Sequence, residues 1–494
     1  MTKKILALLF SVIIWVIPTY GQLSKNITVN TPGTLESQLG ADKTKITDLV
    51  LTGTINSVDF TTIKQMTLLK ILDMSNVNII DGKIPASAFA YRDMTTLIFP
   101  VTLKTIGANA FRSASFAELD FKQCLELEEI GEEAFCNVKL IKNNELDFSG
   151  NTKLTRLLSP SGFGTFGEFS GHVILPRNMI EIPQYSFARF KGSVVFPPVL
   201  EIIRAWAFAG SQSSAKLVFP VTLKVIGTNV FRSASFAELD FKQCLELEEI
   251  GEEAFCNVKL IKNNELDFSG NTKLTRLLSP SGFGTFGEFS GHVILPRNMI
   301  EIPQYSFARF KGSVVFPPVL EIIRAWAFAG SQSSAKLVFP VTLKVIGTNV
   351  FRSASFAELD FKQCLELEEI NSEAFCSVKL TESNILDFSD CVKLTRLLSL
   401  SGFGTFGDFS GHVILPGNMI TIPKLSFFRF KGSITFSPVL EIIGESAFAN
   451  SVFTKGIVFP NSLKTIGTKA FYNSTIPSVS FEQMDPSQSG VSCF

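Results

Sequence analysis

A net charge of either sign is missing from this 494-residue chain: 45 Lys and Arg stand against 45 Asp and Glu. Without an excess of positive charge there is no electrostatic basis for general nucleic-acid binding or for polybasic attachment to a membrane surface. Histidine is scarce as well. His172, His292 and His412 lie 120 residues apart, which is five turns of the short repeat described below. At ~4.8 Å per turn they sit roughly 24 Å from one another, so they share neither a metal nor a catalytic triad. Each stands before a Val-Ile-Leu strand and reads as an ordinary loop residue. Trp and Tyr number 3 and 5 against 48 Phe, a bias that points to one structural slot repeatedly filled by Phe. The eight cysteines (Cys124, Cys136, Cys244, Cys256, Cys364, Cys376, Cys391 and Cys493) form no C-x-x-C pair, which argues against a zinc site. They are open to two readings: buried thiols, or a disulfide between Cys124 and Cys136 in an oxidising compartment.

Long apolar runs are also absent, with one exception. Lys3 and Lys4 precede an apolar stretch from Ile5 to Ile17, broken at Pro18. That is the length of a secretory h-region and short for a bilayer span. Residues 1–21 are therefore expected to be a signal peptide cleaved before Gln22. No membrane insertion is expected after its removal, which leaves a secreted or cell-surface chain.

Chemistry is equally thin. Gly162-Phe163-Gly164-Thr165-Phe166-Gly167 matches G-x-G-x-x-G and recurs at Gly282 and Gly402. A dinucleotide fingerprint needs a strand before it and a helix after it. Here a strand follows, and Phe at the variable positions suits a core-filling turn. Asp120 and Asp147 are middle residues of neighbouring strands, as are Asp240 with Asp267 and Asp360 with Asp387. A calcium site would need six or more oxygens, and Lys122 is close enough to offset the charge, so a solvated face is expected. No converging acids and no nucleophile–base pair occur. The chain reads as a non-enzyme with no catalytic residue, no cofactor and no metal.

What is present is repetition. Residues 111–230 and 231–350 are identical at all 120 positions, and a diverged copy runs over 351–470. Within each block a line L-x-x-I-G-x-x-A-F returns, as Leu103, Ile106, Gly107, Ala110, Phe111 and as Leu127, Ile130, Gly131, Ala134, Phe135. The Phe slot reads as Phe111, Phe135, Phe163, Phe187, Phe208 and Phe231. A short strand L-x-F precedes each line, as in Leu97-Ile98-Phe99, with its outer residues inward and its middle residue outward. Arg204 fills the Gly slot of one line, and the long unit around Phe163 lacks the line altogether; bulges are expected at both.

The unit L-x-F/L-P-x-x-L-x-x-I-G-x-x-A-F resembles the BspA-type leucine-rich repeat of bacterial surface proteins, and it covers residues 92–478. The resemblance implies a strand-dominated α/β solenoid: a right-handed superhelix with one parallel strand per rung. About eighteen rungs give a sheet roughly 85 Å long. Residues 22–91 read as an N-terminal cap, with helices near 34–39 and from Ser57 to Met66, the latter capped by Ser57. Residues 479–494 read as a tail. The resemblance further implies protein–protein binding or adhesion, to host extracellular-matrix proteins or to other cells. A surface glycan-binding protein without catalysis is the alternative.

Two surfaces are candidates for the ligand. The residue before Ala in L-x-x-I-G-x-x-A-F varies, and variable slots of a repeat face solvent. Tyr185 and Trp206 are therefore expected side by side with Arg204 on the same edge, and Tyr305, Arg324 and Trp326 repeat the set. Tyr, Trp and Arg are the residues most enriched at binding hot spots. The third copy carries Leu425, Gly444 and Ser446 instead. Two patches five rungs apart would permit bivalent capture. The alternative is the strand face, with Ile174, Val195 and Val218, and again Ile294, Val315 and Val338, in a row between the Asp pairs.

Overall fold

A computed structural model of the chain describes residues 21–399 and 403–482. The expected signal peptide and most of the expected tail lie outside the described residues. The first strands, β1 (Ser24–Val29), β2 (Asp48–Ile55) and β3 (Ile71–Ile79), pair in parallel, and β3 pairs on to Thr96–Ile98. Two helices, α1 (Leu35–Leu39) and α2 (Ser57–Gln65), close the turns between them. Asn56, one residue before the expected cap Ser57, caps α2. Its side-chain oxygen accepts from the Val58 and Asp59 amides, and the Asp59 carboxylate accepts from the Asn56 amide in return. Asp59 is buried and also accepts from the Gly33 and Leu35 amides, which ties α1 to α2.

From Thr96 onward the chain is a strand-dominated parallel β-solenoid without a further α-helix among the described residues, and the whole comprises about 19 turns. Each turn adds short strands to the one expected per rung. The L-x-F strands form one ladder, as in Glu145–Asp147, His172–Ile174 and Ser193–Val195, paired in register. The Ile of L-x-x-I-G lies in a second ladder, Glu181–Ile182, Ile202–Ile203, Val225–Ile226, Glu249–Ile250 and Arg276–Leu277. A third is formed by pairs such as Ser235–Phe236 with Lys259–Leu260. Arg204 causes no bulge: its amide donates to the Ile182 carbonyl at 3.0 Å, as the Gly107 amide does to Ile84 at 2.9 Å. At the far end Val479–Phe481 is a strand paired with Ile457–Phe459, where the sequence suggested a tail.

Phe fills the axis of the solenoid. Phe111, Phe135, Phe166, Phe187, Phe208 and Phe231 stack at successive centroid separations of 5.4, 5.6, 4.9, 5.0 and 5.6 Å. These separations are close to the ~4.8 Å step between strands, so one ring per turn maintains continuous contact. The column corrects the sequence reading at one member. Phe166, not Phe163, occupies the slot; Phe166 is fully buried and Phe163 is 42% exposed. Gly162 and Gly164 adopt left-handed φ of +82° and +71°, and this glycine-permitted turn carries three more residues around before the core is reached. The G-x-G-x-x-G motif is thus a packing turn: a Cβ on Gly164 would stand 2.5 Å from the Ala188 carbonyl oxygen.

The turn that bears A-F has an unusual backbone. The residue before Ala and the residue four further on are left-handed in almost every turn, as in Tyr185 (+60°), Arg189 (+60°), Trp206 (+61°) and Gly210 (+65°). For a non-glycine this conformation costs about 1–2 kcal/mol. A ladder between turns offsets the cost, since the Trp206, Phe208 and Gly210 amides donate to the Thr228, Val230 and Arg232 carbonyls at 3.0, 2.9 and 2.9 Å. The two left-handed positions project their side chains along one edge of the solenoid.

Candidate ligand-binding edge

On that edge the rings of Tyr185 and Trp206 stack across one turn, with centroids 6.0 Å apart and planes at 24°. Tyr305 and Trp326 repeat the arrangement at 6.0 Å and 22°. The outer side of Tyr185 rests on Gly162, where an added Cβ would lie 3.3 Å from the ring. The outer side of Trp206 faces Arg232, whose guanidinium carbon is 5.9 Å from the ring centroid. The stack runs Gly162, Tyr185, Trp206, Arg232. Both outer ring faces are thereby engaged, and the ring edges are what the surface offers.

A hollow of about 360 Å³ opens beside the stack, lined by Tyr185, Trp206, Arg189, Arg232, Ser161 and Ser233 together with small residues. Its twin, about 370 Å³, lies at Tyr305, Trp326, Arg309 and Arg352. Gly210 and Gly330 occupy the second left-handed slot there, and the lack of a side chain makes the room. Two arginines and no carboxylate line each hollow.

Arg204 and Arg324 do not join the hollow as the sequence suggested. Arg204 is exposed and its Nη2 pairs with Glu181 at 2.7 Å, and Arg324 pairs with Glu301 at 2.6 Å. The arginines that do join were not singled out in the sequence. Arg189 lies over Phe163 at 4.9 Å, and Arg309 over Phe283 at 4.9 Å. Arg232 pairs with Glu253 and Arg352 with Glu373. One signal for them was available, because Arg189 stands two residues after the buried Phe187, in a slot as variable as the one that holds Tyr185.

In the third copy the framework persists but the rings do not. Leu425 and Ser446 replace the rings, and Asp408 takes up Arg429 at 3.4 Å and Lys431 at 2.7 Å. The first two copies carry Glu168 and Glu288 at that place, and these pair with Lys191 and Lys311.

The strand face is arranged as the alternation implied. Asp147, Ile174 and Val195 lie in register, and Val218 lies against Asp240. Val195 and Val218 are 45% and 52% exposed, while Ile174 is half-buried. Ile294, Val315 and Val338 repeat the row between Asp267 and Asp360. Lysines accompany the carboxylates. Lys122 reaches Asp147 at 3.3 Å, and Lys216 reaches Glu238 at 2.9 Å and Asp240 at 2.7 Å. Burial raises the Asp240 carboxyl, but the Lys216 hydrogen bond and the Lys242 amide outweigh it and leave it below the ordinary carboxylate range.

The remaining polar residues serve the framework. Each histidine opens its strand, and His172 Nδ1 meets Ser193 Oγ at 2.7 Å. Asn151 is buried, and its amide nitrogen donates to the Phe121 and Cys124 carbonyls at 3.0 and 2.8 Å. Cys391 takes the same place in the third copy and points its thiol at the Phe361 carbonyl. All seven described cysteines are buried and free, so Cys124 and Cys136 are not bridged.

The profile of the BspA-type leucine-rich-repeat region matches in six copies, over residues 61–168, 166–275, 283–395 and 409–494. Among solved structures the chain is similar to a leucine-rich repeat protein from Eubacterium ventriosum, at 14% identity over 74% of this chain and 86% of that one, with a TM-score of 0.27. A leucine-rich cell surface protein from Faecalibacterium prausnitzii matches at 16% over 72% and 83%, TM-score 0.29. The pneumococcal vaccine antigen PcpA matches at 17% over 89% and 80%, TM-score 0.24. No curated protein matches.

Proposed function

From the fact that the chain belongs to the BspA-type leucine-rich-repeat family, we propose that it is an exported, non-catalytic surface protein that captures a protein ligand along its aromatic edge. Host extracellular-matrix proteins and the surfaces of other cells are the ligands this reading favours. The recurrence of the hollow follows from the identity of two 120-residue blocks and is not in itself support. What carries the reading is convergence: Tyr185, Trp206, Arg189 and Arg232 meet around one exposed hollow. These residue types dominate the energetics of protein interfaces. A repeat scaffold supplies the rigid surface that such a cluster needs.

The test is binding of the full chain to a panel of immobilised extracellular-matrix proteins, with a glycan array alongside. Changing Trp206→Ser and Trp326→Ser together is expected to remove most of the binding while circular dichroism stays unchanged. Unaltered affinity with an intact fold would end the case for the edge. The second reading rests on the exposed Val195–Val218 row, and Val195→Glu with Val218→Glu tests it in the same assay.

A further inference from the structure

We infer that each hollow is a carboxylate-reading site and that the pair takes an acidic, extended protein segment. This rests on the aromatic edge being the binding surface. Three observations point to that chemistry.

The ring faces are already occupied. Tyr185 and Trp206 cover each other, and Gly162 and Arg232 cover their outer sides. A sugar ring that needs an open aromatic face has none to stack on. Aromatic edges carry the positive part of the ring quadrupole, so a ligand entering the hollow meets the edges of both rings. These edges favour an acceptor.

One cation in each hollow is uncommitted. Arg232 and Arg352 are held by Glu253 and Glu373. Arg189 and Arg309 have no carboxylate partner among the described residues; each lies on a Phe ring instead. Stacking on a ring face leaves the in-plane N–H fork of a guanidinium free, and that fork matches a carboxylate with two parallel hydrogen bonds. In the third copy Arg429 still lies over Phe403 at 4.8 Å, and Asp408, at the place of Glu168 and Glu288, reaches it at 3.4 Å. In the first two copies Lys191 and Lys311 engage Glu168 and Glu288, which leaves Arg189 and Arg309 without that carboxylate contact.

Spacing sets the form of the segment. Five turns separate Arg189 from Arg309, roughly 24 Å at ~4.8 Å per turn. An extended chain advances about 3.4 Å per residue, so acidic residues roughly seven apart reach both hollows.

The experiment uses a twelve-residue Gly/Ser peptide with Glu at positions 3 and 10, its Gln counterpart, and a sulfated heparin oligosaccharide. Tryptophan fluorescence is the readout, because Trp206 and Trp326 are the two tryptophans left once residues 1–21, which hold Trp15, are removed. The Glu peptide is expected to shift the emission and to bind at least tenfold more tightly than the Gln peptide. That preference is expected to vanish in Arg189→Gln with Arg309→Gln, whose rings remain to report. Equal binding of the Glu and Gln peptides would overturn the carboxylate assignment while leaving the edge itself intact. Tighter binding of the oligosaccharide than of the Glu peptide would overturn the assignment to a protein segment. Failure of the edge itself is read separately, by the tryptophan-to-serine variants on the matrix-protein panel.

Discussion

Tyr185 and Trp206 stack ring on ring across a single turn of the solenoid, 6.0 Å between centroids, although each projects from a left-handed backbone. The two facts are connected. The left-handed turn points successive side chains along one edge, and the step between turns brings rings on that edge into contact. Asn229 and the third copy's Ser446 occupy the same left-handed slot as Tyr185 and Trp206 with no ring to stack, so the turn supplies the geometry and the side chains supply the site.

The register of the core is open to test by a matched pair. Phe166→Ala removes a fully buried ring from the column and is expected to cost ~3–5 kcal/mol, felt chiefly in the adjoining turns. Phe163→Ala removes an exposed ring under Arg189 and is expected to cost ~0.5–1 kcal/mol. Hydrogen exchange around residues 130–190 checks both. Equal losses would return the slot to Phe163.

Acid should weaken the strand face in a definable window. Asp240 and Asp360 lie below the ordinary carboxylate range: burial raises each, but hydrogen bonds from Lys216 and Lys336 and nearby amides more than offset it. A depressed folded value means stability that is present above the unfolded value, ~3.9, and lost as pH falls through the folded one. Lys216→Gln with Lys336→Gln is expected to lower stability slightly at pH 7, by no more than ~1 kcal/mol per site for such exposed pairs. The gap to the wild type should begin to narrow as pH falls below ~3.9 and close once pH is below the folded value. A gap that does not change with pH would contradict the pairing.

The thiols provide a check on the interior. Burial pushes Cys124, Cys244 and Cys391 up to about 12, and a thiol is a poor nucleophile until it ionises. Iodoacetamide is expected to leave these three unmodified in the folded chain and to label them fully in denaturant. Peptide mapping that finds Cys124 bridged to Cys136 would contradict the free, buried state.

Export rests on the charged and apolar segment at the N-terminus. Mass spectrometry of protein collected outside the producing cell should give a chain that starts near Gln22. A collected chain that retains Met1 to Gly21 would refute the signal reading.

Much of the fold was legible because burial writes itself into spacing. Leu, Ile, Ala and Phe recur at fixed offsets, and the Phe column follows from them at every turn but one in each 120-residue block. The exception, Phe166, was obscured because Gly162 and Gly164 allow a wider turn that no apolar spacing records. The site was half legible. Tyr185 and Trp206 stood out as large residues in a variable slot, and their stacking follows from the turn. Arg189 did not stand out, because the left-handed slots are held by amide bonds between turns and not by a residue type, and Arg232 lies outside those slots, just before the left-handed Ser233. Tyr, Trp, Arg, Glu, Asn and Ser all occupy them, so no glycine signature marks the edge. Arg204 drew attention by breaking the Gly slot, but Glu181 on the preceding turn engages it.

The central claim, that the two aromatic hollows are the binding sites and act together, is tested most directly by dissociation from one immobilised matrix protein that the full chain binds. Wild type, Trp206→Ser, Trp326→Ser and the double variant are compared at the same ligand density. Each single variant is expected to leave at least tenfold faster than the wild type, as loss of one of two linked contacts requires, and the double variant should show no retention. Four equal dissociation rates, with all four proteins folded, would contradict the account.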